Sequence, residues 1–582
     1  MKLAFCRSSS CIPVVTLVLT ALLASDETAL AADSVNPGTL ETYSTMHSIG
    51  VEWNVLDDDN LDADGSIEYR TFGASQWQDG LKLFRIQFDG FNMVAGSLFF
   101  LTPGMEYEVR VNLFDPDGGG TSTTEIIKTQ SIPSQPAGGP QYHVIPGSGG
   151  GTGTLLDPFR GLAATRPVAD PGTTFLLHQG TYTQSTLDQA GFNNSYIVYK
   201  GAGDGEAVFN EIVVAADFIW LEDLTIRDQS SGLSTRNSPE HVVVQYCLFE
   251  NNHYSVDLRS GGRAWYISDN TIVGDTPYET GSLGGEGIEL GHTSDHTVAH
   301  NSITNTADGI SYPHTNVDIF GNDIFNTSDD GIEADSGRAN VRMWGNRLTN
   351  TRHNGITFQD QRGAPWYIIG NQLANWDQGG FKFRITDQFV IVNNTFINWN
   401  QVVDHWSQNI LNAYSRNNLF ISLSGNNNKG DASIFGMRNP GHGYPDVTLN
   451  RLSDLDYDGF DWGSGSSPPF TYFGQTYNNI AALYSGLGIE EHGIRINKDG
   501  CLNDLSKFPG ANPALVSLPL NSSLKSGCAA IDAGVVVPNI SNSFSGSAPD
   551  LGATEFGLAL PHYGPRSRTS TRPNAPTDLD VL

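Results

Sequence analysis

One short element, apolar-x-x-Asn-x-apolar, constrains this chain more than any other feature. It returns at Asn270, Asn301, Asn322, Asn346, Asn371, Asn394 and Asn418, at intervals of 31, 21, 24, 25, 23 and 24 residues. Cys247 falls in the same slot 23 residues before Asn270, and Leu224 another 23 before that. A period in the low twenties, with short β segments and no helical spacing, specifies a parallel β-solenoid whose turns bury their apolar faces only by stacking. Turns then repeat every ~4.8 Å, and equivalent Asn side chains hydrogen-bond along the stack. Cys247, sitting in such a slot, reads as a buried structural thiol.

Composition agrees with an all-β chain. There are 64 Gly among 582 residues, 38% hydrophobic and 10% aromatic residues, and only 16% charged ones. The net charge of −31 would repel a polyanion, so nucleic acid is not expected as a partner, and an anionic substrate needs local cations. At the N-terminus, Lys2 and Arg7 precede an apolar run from Ile12 to Ala24, and Ala29-Leu30-Ala31 offers a small-x-small cleavage site. We read residues 1–31 as a signal peptide and the mature protein as secreted, extracellular or periplasmic. The run is too short to span a bilayer, and no later segment is long enough either. Cleavage would remove Cys6 and Cys11, leaving Cys501 and Cys528 free to pair in an oxidising compartment.

Residues 36–131 alternate apolar and polar positions between turns, as in Ile67-Glu68-Tyr69-Arg70 and Glu106-Tyr107-Glu108-Val109-Arg110-Val111, a compact sandwich pattern. The stretch from Leu101-Thr102-Pro103-Gly104 through Tyr107 to Val111 resembles the tyrosine-corner strand of fibronectin type III domains. Residues 132–140, rich in Pro and Gly, read as a linker. The opening Gly151-Thr152-Gly153, Asp157-Pro158-Phe159, Pro171-Gly172-Thr173-Thr174 and Gly180-Thr181-Tyr182 resembles the first coil of secreted right-handed parallel β-helix proteins of the pectate-lyase-like superfamily. Ala530-Ile531-Asp532-Ala533-Gly534 and Pro549-Asp550-Leu551-Gly552-Ala553-Thr554-Glu555 resemble their closing segment. The resemblance spans residues 141–558, implies a right-handed parallel β-helix of about ten turns, and leaves activity open among lyases, hydrolases, epimerases and non-catalytic proteins. Residues 559–582, with Arg566, Arg568 and Arg572 among Ser, Thr and Pro, read as a disordered tail.

Register converts the repeat into a surface grid. After each Asn element a second strand, usually opened by Gly, alternates an inward apolar set (Ile288/Leu290, Ile310/Tyr312, Ile332/Ala334, Ile356/Phe358, Phe381/Phe383) with outward residues. One outward column reads Asp257, Glu289, Ser311, Glu333, Thr357, Lys382, Asp404; the next reads Arg259, Gly291, Pro313, Asp335, Gln359, Arg384, Trp406. His292 and His314 lie just beyond, and Glu286, Asp308, Asp330 and Asn354 just before. The insertion Thr276 to Gly285 would wall one side. Stacked carboxylates at this spacing call for protons or cations, so Asp308, Asp330, Glu333 and Asp335 are candidate Ca²⁺ ligands. Lys382 or Arg384 could abstract the proton α to a uronate carboxyl, which is β-elimination. His314 is an alternative base or acid. Glu289 and Glu333, two turns apart at about 9.6 Å, are the alternative pair for glycoside hydrolysis. Arg259, His292, Gln359 and Trp406 are the candidate substrate contacts. The expected protein is a monomeric polysaccharide lyase acting on a uronate-containing polymer. A glycoside hydrolase and a non-catalytic carbohydrate-binding or adhesion protein are the alternatives.

Overall fold

The computed structural model describes residues 33–568 apart from 89, 360–364, 385–388, 400–401, 406–412, 424–434, 438–453, 464–467, 473–474 and 509–514. The expected leader therefore lies outside the described residues. Three long sheets of stacked parallel strands run through most of the chain. The first has 14 strands and includes Gln141–Ile145 and Asp454–Leu455; the second has 13, from Gly180–Tyr182 to Ile494–Arg495. The third has nine, from Ser185–Leu187 to Gly379–Arg384, so nine turns carry all three sheets. The interior is one column of Ile, Val, Leu and Phe, among them Ile288, Ile310, Ile332, Ile356 and Phe381, all fully buried.

The Asn slots form a continuous ladder. Each backbone N–H donates to the side-chain oxygen one turn on: Cys247 to Asn270 (2.9 Å), Asn270 to Asn301 (3.0 Å), Asn322 to Asn346 (3.1 Å) and Asn394 to Asn418 (2.8 Å). Each carboxamide N–H₂ also donates to the next rung and to a strand carbonyl, as Asn346 does to Asn371 (3.0 Å) and to Ile319 O (2.8 Å). These bonds satisfy turn backbone that would otherwise be buried unpaired. Asp458 takes the last slot and accepts from Asn418 N (2.7 Å) and Nδ2 (3.0 Å). The Cys247 thiol is buried, and that burial pushes its pKa up to about 12, so it is inert.

The N-terminal unit is a sandwich of two four-stranded antiparallel sheets. Its Tyr107 hydroxyl accepts from Thr102 N (2.9 Å), and Trp53, Val94 and Val109 fill its core. The sandwich does not hang from a linker but is bolted to the first solenoid sheet. Arg342 and Asp318, both side chains at 0% exposure, pair at 2.5 Å, and Thr45, Ser48 and Ser97 of the sandwich hydrogen-bond to them. Around this polar knot, Phe99 meets Tyr367 edge-on at 4.8 Å and Phe100 meets Trp344 at 5.3 Å. Arg338 reaches Glu52 (2.6 Å) at the rim. Residues 132–140 are drawn in as well, with Ile132 packed on the same apolar cluster and Gln135 bonded to Glu222.

Cys501 and Cys528 form a disulfide in a small module that closes the C-terminal end. The tail also departs from the sequence reading, because residues through 568 are anchored. Tyr563 packs against Arg347, Gly564 N donates to Gly321 O (2.8 Å), Arg566 chelates Asp269 (2.8 and 2.6 Å), and Arg568 pairs with Asp223. This strap crosses successive turns in the direction opposite to chain growth. Residues 569–582 lie outside the described residues.

Candidate functional site

The third sheet carries the ionisable face, and a column of glycines sets its geometry. A Cβ on Gly287, Gly309, Gly331 or Gly355 would sit 2.6, 2.5, 2.6 or 2.9 Å from the carbonyl of the equivalent glycine one turn on. The chain therefore bends into each third-sheet strand so tightly that only glycine fits. The residue before each glycine is consequently pinned at the turn. There a second ladder forms, of opposite polarity to the Asn one. Asp308 Oδ1 accepts from Asp330 N (2.8 Å), and Asp330 Oδ1 accepts from Asn354 N (2.9 Å) and Nδ2 (2.8 Å).

Beyond the glycines, strand pairing aligns Asp257, Glu289, Ser311, Glu333, Thr357 and Lys382 in one column, residue against residue. Asp404 falls in a strand of another sheet and its side chain is outside the described set. The adjacent column is not continuous. Gln359 opposes Arg384, but Thr293 rather than Gly291 opposes Pro313. Gly291 (φ 58°), His292 (φ 56°) and Tyr312 (φ 54°) adopt left-handed conformations there, and the bulge turns Tyr312 out of the core onto the face. Placing Tyr312 among the inward residues was thus incorrect, while Leu290, Ala334 and Phe358 are fully buried. Tyr312 packs its ring on His292 at 4.8 Å and hydrogen-bonds to Glu333.

Most of this face is recessed: Glu289 is 3% exposed, Asp308 2% and Asp330 1%, whereas Glu333 is half-buried. Burial pushes Glu286 up to about 7, with Glu289 and Glu333 adding repulsion. Burial, then Asp335 and Asp330, push Glu333 up to about 8. Asp330 is likewise raised to about 8 by burial and Asp329, against the nearby Lys382 charge. Asp308 is raised well above the usual range by burial and by Glu333 and Asp330. Asp308 and Glu333 hydrogen-bond side chain to side chain, which requires at least one of them to carry a proton. Glu289 is raised by burial, but Gly291 N (2.8 Å), Arg259 and Ser311 Oγ (3.3 Å) favour its anion. Asp335 is also raised by burial and accepts from Thr357 Oγ1 (3.0 Å) and from Gln359 N and Nε2 (both 2.7 Å).

The remaining candidates fall as follows. Arg259 chelates Asp257 (2.9 and 2.7 Å) over the Tyr254 ring, so its guanidinium is committed within the protein. His292 is exposed overall, but partial desolvation of its ring lowers its pKa, as burial does that of half-buried His314, which bonds Thr315 Oγ1 (3.0 Å). Lys382 is half-buried beside Asp330 and Asp335. The Arg384 side chain and Trp406 lie outside the described residues. The insertion folds over one edge: Ser328 Oγ donates to Ser282 O (2.8 Å) and Arg352 to Tyr278 O and Glu279 O (2.9 Å each). Ligand atoms of Asp308, Asp330, Glu333 and Asp335 do not meet at one point; on this face Asp329, Asp330 and His353 converge instead, within 4.8 Å. Sequence reasoning missed Tyr312, and it named Glu286 without assigning it a role. The Glu286 signal was there to find, since it precedes the same glycine column as Asp308 and Asp330.

Residues 231–396 match the family model of the right handed beta helix region. No curated protein matches the chain. The matched segment includes the whole column from Asp257 to Lys382. This chain is an all-β protein built on a right-handed parallel β-helix, with two small antiparallel sheets packed ahead of it.

Proposed function

We propose that the protein is a secreted polysaccharide-degrading enzyme and that the carboxylate face cleaves a glycosidic bond by hydrolysis. The fold is common among such enzymes, though it hosts other functions too. One observation carries the reading: half-buried Glu333 and recessed Asp308 hydrogen-bond side chain to side chain, which requires a proton on at least one of the two, and burial raises both. In this mechanism Glu333 protonates the leaving oxygen. Glu289, two turns away at about 9.6 Å along the column, activates water from the ionised state that Gly291 N and Arg259 favour. The separation is at the wide end of the inverting range, so inversion at the anomeric carbon is expected.

Lys382 favours a second reading, β-elimination on a uronate polymer. Beside Asp330 and Asp335 it could serve as base once deprotonated, with a neighbouring cation stabilising the intermediate. Asp308, Asp330, Glu333 and Asp335 do not converge as a calcium site, so in this reading a cation would sit where Asp329, Asp330 and His353 meet and would supply neutralising charge in place of protons. A panel of neutral and uronate polysaccharides decides between the readings. New reducing ends without ultraviolet absorbance of an unsaturated product support hydrolysis, and that absorbance supports elimination. Binding with no product of either kind would support a non-catalytic role. Repeating the panel with chelator and with added calcium tests the metal separately.

A further inference from the structure

We propose that the cleft between the N-terminal sandwich and the first solenoid sheet binds a single neutral pyranose ring, at a site separate from the carboxylate face. The cleft encloses about 250 Å³. Sandwich residues Met46, Gln130 and Ser131 line one side, and Tyr196, His241 and Tyr266, from three of four consecutive turns, line the other. No Asp, Glu, Lys or Arg lines it, in a chain of net charge −31. An uncharged wall in so acidic a protein suits an uncharged ligand.

Tyr196 carries the argument furthest. It is 3% exposed, stands edge-on to Phe218 (5.9 Å) and Trp220 (5.5 Å), and only burial acts on its hydroxyl, pushing the pKa up to about 12. That hydroxyl has no hydrogen-bond partner among the described residues, yet it is not among the sealed-off polar atoms, so it opens on the cleft. A hydroxyl that opens on the cleft without a protein partner is open to a ligand hydroxyl in place of solvent. The His241 ring lies flat on Phe218 at 4.7 Å and 20°, an orientation held by stacking and not by a ring hydrogen bond. Gln130 uses Nε2 on Ser44 O (2.7 Å), which leaves its Oε1 to accept. Arg566 of the C-terminal strap donates to the Tyr266 hydroxyl (3.2 Å) and so fixes that wall.

These groups match a sugar ring. Its C–H face packs on aromatic surfaces, and its hydroxyl edge meets a tyrosine that donates and accepts, an imidazole with one nitrogen of each kind, and an amide acceptor. The volume lies below the about 300–1,000 Å³ of drug-sized pockets, which fits one ring and not a chain.

The test uses the full chain with glucose, galactose, mannose and rhamnose, and galacturonate as the charged control, read by saturation-transfer NMR and calorimetry. At least one neutral sugar should bind with a dissociation constant on the order of millimolar, and Tyr196→Phe and His241→Ala should each weaken it roughly 10-fold. Tyr196→Phe keeps the ring, so its melting temperature should match the parent. Glu333→Gln should leave sugar binding unchanged whether or not it abolishes turnover, which separates this site from the catalytic reading. No saturation by any neutral sugar, binding indifferent to both cleft substitutions, or galacturonate bound equally tightly would each overturn the proposal.

Discussion

Replacing Asn346 by Ala tests whether the Asn ladder holds the solenoid together. Asn346 is fully buried and its side chain makes five hydrogen bonds. It donates to Ile319 O (2.8 Å), Trp344 O (3.3 Å) and Asn371 Oδ1 (3.0 Å), and accepts from Asn322 N (3.1 Å) and Nδ2 (2.9 Å). Several partners keep another bond: Asn371 Oδ1 still accepts from Asn346 N, and Asn322 Nδ2 still donates to Val298 O. Asn322 N has no other partner here and is orphaned, at roughly 1–3 kcal/mol. The other four bonds contribute about 0.5–1.5 kcal/mol each, so a total of roughly 3–9 kcal/mol is expected before relaxation, which draws it towards the lower end. Asn346→Asp should cost at least as much near neutral pH, because a carboxylate would face three acceptors in the interior. Urea unfolding followed by tryptophan fluorescence measures both, with exposed Thr271→Ala as control. A loss under about 1 kcal/mol for Asn346→Ala would refute the account of the ladder as structural.

Three further outcomes follow from the site and the interfaces. Glu333→Gln should lower turnover by about 10²–10⁴-fold on the substrate identified by the polysaccharide panel, with circular dichroism unchanged. Because Asp330 and Glu333 are raised to about 8 in the fold and Asp308 well above the usual carboxylate range, while all three titrate near pH 4 when unfolded, stability should fall as pH rises from about 4 to about 8. Glu333→Gln should flatten that fall by up to about 1.4 kcal/mol per pH unit, and a pH-independent urea midpoint would contradict the assignment. Arg342→Ala leaves Asp318 as an unpaired buried charge, so a loss of about 3–5 kcal/mol is expected, along with faster proteolytic release of the sandwich.

The solenoid was legible because its signal is local and repeated: each Asn slot is read against its neighbours, and seven copies fix the period. The column from Asp257 to Lys382 was legible for the same reason, since alternation by two survives wherever strands stay in register. It failed where they do not. Nothing in the residue type of Tyr312 announces a left-handed φ, so the bulge that brings it to Glu333 was hidden. The docking of the sandwich was hidden differently, because Ser97 and Asn340 meet across 243 positions and neither is apolar. The tail through residue 568 was misjudged from composition. Arg566 looks disordered among Ser, Thr and Pro until its partner Asp269, 297 positions away, is known. The roles proposed for Lys382 and Glu333 depend on which carboxyls keep their protons, a property of burial that spacing does not carry.

The C-terminal strap changes how this molecule should come apart. In an ideal repeat array each turn touches only its neighbours, so stability is a sum of local terms and the ends fray independently. Here one short segment is fastened to turns from Arg347 down to Asp223, while the sandwich grips Asp318, Arg342 and Tyr367 from the other flank. Losing any turn between those fastenings means releasing contacts to several others at once. The array therefore behaves less like a zipper than like a laced column. Its middle turns, where the carboxylate face lies, should exchange their amide hydrogens together in one slow, concerted opening rather than in a gradient from the ends.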